Sequence, residues 1–100
     1  MSVNVWWTFN DGMSGHVWLG ERELDALRRE MVLQGMAEAF PVEKLAPQTS
    51  EERARVTPQQ IEGALEVASD EPTAMADEKL WRDWLAFLEG ARHKGGLLIR

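Results

Sequence analysis

VNVWWTFNDGMSGHVWLG, residues 3–20, holds three of the five tryptophans of the chain, two of them adjacent. Val3, Val5, Trp7 and Phe9 form a period-2 apolar row, with Asn4, Trp6 and Thr8 between them. Alternation with β-branched and aromatic residues predicts a strand. NDGMSG follows, dense in turn-forming residues, and HVWLG reads as a second strand. The pair predicts a β-hairpin. Neighbouring strand residues point to opposite faces. Trp7 therefore belongs to the core row, and Trp6 faces the other way. Pairing Phe9 with Val17 sets Trp7 opposite Leu19 and Thr8 across from Trp18, with Trp6 diagonal to it. Trp6, Thr8, His16 and Trp18 then share one mostly polar face. Covered by the protein's own helix or middle segment, that face is a second core. Left open, it is an aromatic binding surface.

Outward from the hairpin the periodicity becomes helical. Leu24, Leu27 and Met31 keep helix spacing from Glu21 onward, and Asp25 can pair with Arg28 or Arg29. Gly35 interrupts the pattern and Pro41 ends it. Residues 41–56 read as a loop with a helical turn after Ser50. Thr57, Pro58 and Gln60 form a capping-box signature for a helix whose thin stripe is Ile61, Ala64, Leu65 and Ala68. The clearest helix covers about residues 74–93. Its apolar residues, from Leu80 to Ala91, fall within an arc of roughly 160°. Arg92, His93 and Lys94 suit its last turn, and Gly95 suits the left-handed position beyond it. GLLIR reads as a terminal strand.

The expected architecture is a single small α+β domain over residues 1–100. An N-terminal β-hairpin and a C-terminal strand form a small antiparallel or mixed sheet, packed with about three helices. One hundred residues suffice for one modest core, which buries roughly 60–65% of the unfolded surface. The ending, a helix followed by KGGLLIR, is similar to the helix–glycine–strand endings of many small α/β inhibitors, barstar among them. That likeness is one of architecture and spans only the last part of the chain.

Catalytic signatures are missing. Asp11, Ser14 and His16 lie within one hairpin tip, with no nucleophile elbow around the serine. His16 and His93 fit no metal-ligand spacing, and no phosphate-cradling glycine pattern occurs. With no cysteine there is neither disulfide nor thiolate site. The expectation is a protein without enzymatic activity, catalytic residues, metal or cofactor. No signal segment or spanning stretch is evident, so a cytoplasmic protein is expected. A net charge of −6 disfavours nucleic acid and anionic membrane and is compatible with a basic protein partner. What remains is a small acidic interaction protein of the inhibitor, immunity-protein or antitoxin kind, binding through Trp6, Thr8, His16 and Trp18. The alternative is a small-molecule or peptide-binding module, or an accessory subunit of a larger enzyme, with a pocket lined by Trp7, Trp81 and Trp84. A homodimer through an edge strand is compatible with either.

Overall fold

The computed structural model describes residues 2–9, 15–45 and 54–100. Four strands form one sheet: β1 (Ser2–Trp7), β2 (His16–Gly20), β3 (Ala54–Val56) and β4 (Leu97–Ile99). Three helices accompany it: α1 (Glu21–Leu33), α2 (Pro58–Val67) and α3 (Glu78–Arg92). The strand order is β2-β1-β4-β3 with every neighbour antiparallel. This is an α+β fold in which the hairpin and the C-terminal strand share a sheet.

One face of the sheet makes the core. Val3, Val5, Leu19, Val56, Leu97 and Ile99 are all buried there. Against them pack Leu24, Leu27 and Met31 of α1, Ile61 and Ala64 of α2, and Trp81, Trp84 and Leu88 of α3. Each of these large side chains contributes about 1.5–3 kcal/mol by leaving water. Trp81 also donates its indole N–H to the Ser69 carbonyl at 2.7 Å, which satisfies its one polar atom.

Local signals explain the helices. Thr57 caps α2 reciprocally: its hydroxyl accepts from the Gln60 N–H at 3.2 Å, and the Gln60 side chain accepts from the Thr57 N–H at 2.9 Å. At the start of α1, Glu23 accepts from the Gly20 N–H. That helix stops at Leu33, and Gly35 takes a left-handed φ of +81° before a 3-10 turn over Met36–Glu38. α3 begins at Glu78, not near residue 74, because Asp77 caps it by accepting from the Leu80 N–H. Residues 73–75 are instead held by the carboxylate of Glu30.

The expectations for residues 54–56 and for the hairpin register are corrected, and a third falls outside the described residues. Ala54–Val56 is a strand, where a loop was expected. The helical turn expected after Ser50 lies outside the described residues up to residue 53. The hairpin register is four residues away from the expected one. Val5 faces Val17, Trp6 faces His16 and Asn4 faces Trp18. The cause is that Thr8 and Phe9 leave the hairpin: their N–H groups donate to the carbonyls of Gly96 and Lys94. Phe9 is consequently not a core residue. It is 69% exposed, and its ring lies over Gly95. Because the displacement is an even number of residues, the side chains that remain in β1 and β2 keep their predicted faces.

Candidate functional site

The second face of the sheet is the candidate site, and β-strand parity builds it. Ser2, Asn4 and Trp6 of β1 point away from the core, as do His16 and Trp18 of β2. β4 and β3 add Leu98 and Arg55 in register, so His16, Trp6, Leu98 and Arg55 form one row across all four strands. Three strand spacings make that row about 14 Å long. A second row runs from Trp18 through Asn4 to Arg100, whose backbone exchanges two hydrogen bonds with Asn4 at 3.1 and 2.9 Å.

Side-chain contacts order this surface. The His16 ring stacks on Trp6 with centroids 4.8 Å apart and planes 25° apart. Its Nε2 lies 2.9 Å from Asn4 Oδ1. The Trp18 indole N–H donates to the Ser2 hydroxyl at 3.1 Å. Both indoles are thus held by neighbours on the adjacent strand, which lowers the side-chain entropy lost when something docks on them. Trp6 is half-buried under His16, whereas Trp18 remains 57% exposed. Ser2, His16, Arg55 and Arg100 are exposed, and Asn4 and Leu98 are half-buried.

Three of the four residues singled out in the sequence, Trp6, His16 and Trp18, meet here. Thr8 does not sit across from Trp18; it has left the strand for the turn beside Gly95 and Gly96. Asn4 takes the place opposite Trp18. Ser2 and Asn4 share the parity of Trp6 and were readable from it. Leu98, Arg55 and Arg100 were not, since only the sheet order brings them alongside.

Trp7, Trp81 and Trp84 are engaged in packing between the sheet and α3. Trp81 and Trp84 are core residues, and Trp7 packs on α3, its ring tilted 38° to Phe87 and its indole N–H donating to the Phe87 carbonyl at 3.0 Å. A groove of about 310 Å³ does lie between α1 and residues 74–80. Its lining mixes Arg22 and Arg29 with Glu23, Glu30 and Asp77, and Glu30 spends both oxygens on backbone and side-chain donors. No single charge type of ligand is favoured there.

Asp11 and Ser14 lie outside the described residues, and His16 is engaged with Trp6 and Asn4. No group of three His, Asp or Glu side chains among the described residues could hold a metal. No helix among them is long and apolar enough to cross a membrane. Comparison with protein families, curated proteins and solved structures finds no match to this chain.

Proposed function

We propose that this chain is a small interaction protein that docks a protein partner on the open face of its sheet. Its role is to bind and mask, in the manner of an inhibitor, immunity protein or antitoxin, without chemistry of its own. One observation carries the reading: Trp18 and Trp6 stand on a sheet face over which no described helix packs, while α1, α2 and α3 pack on the other face. A domain of this size needs one covered face to fold. Tryptophans placed on the uncovered one lose apolar burial in the free protein and regain it on docking. The cysteine-free composition fits a reducing compartment, and the cytoplasm is the proposed location.

The test compares two variants. Trp18→Ala should cut partner capture from the native host extract by about tenfold or more, as hot-spot truncation does. Its melting temperature should stay near wild type, since the ring is mostly in water already. Val32→Ala, on the exposed side of α1, should leave capture unchanged. Equal capture by wild type and Trp18→Ala would sink the proposal.

A further inference from the structure

Among the described residues, the strands of the open face carry the opposite charge to the molecule as a whole. The chain has 17 acidic and 11 basic residues and a net charge of −6. Yet Ser2–Trp7, His16–Gly20, Ala54–Val56 and Leu97–Ile99 contain no Asp or Glu. Among the described residues the charged side chains in the two rows of the face are Arg55 and Arg100, both exposed, and the Glu23 carboxylate lies at the Gly20 end of β2 near Trp18. Several arginines of the helices are neutralised locally, Arg28 by Asp25, Arg82 by Glu78 and Arg92 by Glu89. Arg55 and Arg100 have no ion-pair partner among the described residues. Folding has thus concentrated apolar rings and two unneutralised guanidiniums on one surface.

We infer that this face receives an acidic segment of the protein partner. The inference rests on the interaction reading above and specifies its chemistry. Carboxylates meet Arg55 and Arg100, for which a planar guanidinium offers paired donors. Apolar groups between those carboxylates pack on Trp6, Trp18 and Leu98. Arg55 lies two strands from Trp6, about 10 Å away, so an acidic residue and an apolar anchor about three positions apart on an extended segment span the row. Sign complementarity of this kind rejects basic competitors as well as attracting the acidic one. Single-stranded nucleic acid also uses aromatic platforms and arginines. The two guanidiniums of this face are too few for a phosphate backbone, whose affinity comes from many cationic contacts.

Isotope-labelled protein titrated at low salt with poly-L-glutamate, poly-L-lysine and oligothymidylate tests this, read by the indole N–H signals of Trp6 and Trp18 and the amide of Arg55. Poly-L-glutamate should shift all three, and the double variant Arg55→Ala, Arg100→Ala should weaken that binding about tenfold. If poly-L-lysine shifts the indoles and poly-L-glutamate does not, the acidic assignment is overturned while the face survives as an interface. Stronger shifts with oligothymidylate overturn both this inference and the protein-partner reading. If none of the three probes perturbs the face, the acidic assignment is overturned, and the Trp18→Ala capture experiment decides the interface separately.

Discussion

Glu30 is the one buried charged residue among those described, at 1% exposure. Its Oε1 accepts from the N–H groups of Ala74 and Met75 at 2.8 and 3.0 Å. Its Oε2 accepts from the Thr73 N–H, the Thr73 hydroxyl and the Gln34 amide at 2.7 to 2.9 Å. Burial pushes the carboxyl up, but the hydrogen bonds from Thr73, Ala74 and Gln34 outweigh it and hold it at about 2, against an ordinary 4.5. A lowered folded-state pKa adds stability above the unfolded value and loses it as the pH falls. The window is therefore from 4.5 down to about 2. The contribution is on the order of 3 kcal/mol. Glu30→Gln should lose about 2–4 kcal/mol at neutral pH, because one carboxylate oxygen becomes a donor facing N–H groups. It should also lose much of the wild type's decline in stability on acidification through that window. Urea unfolding of both proteins at neutral and acidic pH measures this. Parallel declines would remove Glu30 as the cause. Sequence gave no hint of this role. Glu30 sits among charged residues of an amphipathic helix and is buried only because residues 73–75 cross α1.

At the scale of elements, α3 shows how a local rule is overridden. Gly90 lies inside the helix, where glycine costs about 1 kcal/mol relative to alanine. Propensity alone predicts that Gly90→Ala stabilises the protein. The structure predicts the reverse. A Cβ at residue 90 would fall 2.1 Å from Trp7 Cζ2, so the indole must move and its hydrogen bond to Phe87 breaks. A net loss of about 1–3 kcal/mol is expected, as for other overpacked sites. Thermal unfolding of the variant tests the sign, and a raised melting temperature would refute the packing argument. Elements with strong local signals were legible: the Thr57 cap, the α3 stripe, and the alternation of β1 and β2. β3 was not. Three residues, Ala-Arg-Val, give too short an alternation to recognise, and they are extended because β4 offers them an edge. The hairpin register was missed for a related reason. Thr8 and Phe9 find hydrogen-bond partners after α3, eighty or more residues away in sequence.

For the whole molecule, the order β2-β1-β4-β3 places β1 and β4 at the centre and leaves β2 and β3 as edges. Val5 is paired on both sides, to Val17 and to Ile99. The N- and C-terminal segments are therefore joined in the middle of the sheet. Hydrogen exchange should be slowest in β1 and β4 and reach the global unfolding limit there, with β3 opening more readily. Protection of β3 equal to that of β4 would contradict this hierarchy.

Composition and periodicity by themselves determined the fold class, the helical stripes and the face each hairpin tryptophan takes. Those properties follow from local geometry, since strand parity and helix pitch repeat every few residues. Three things depended on tertiary structure: that no described helix covers the Trp6 face, that Arg55, Leu98 and Arg100 join it, and that the charge of its described strands opposes the net −6. Each depends on which distant strands lie side by side, and pairing across the length of the chain leaves no periodic trace in the residues that make it.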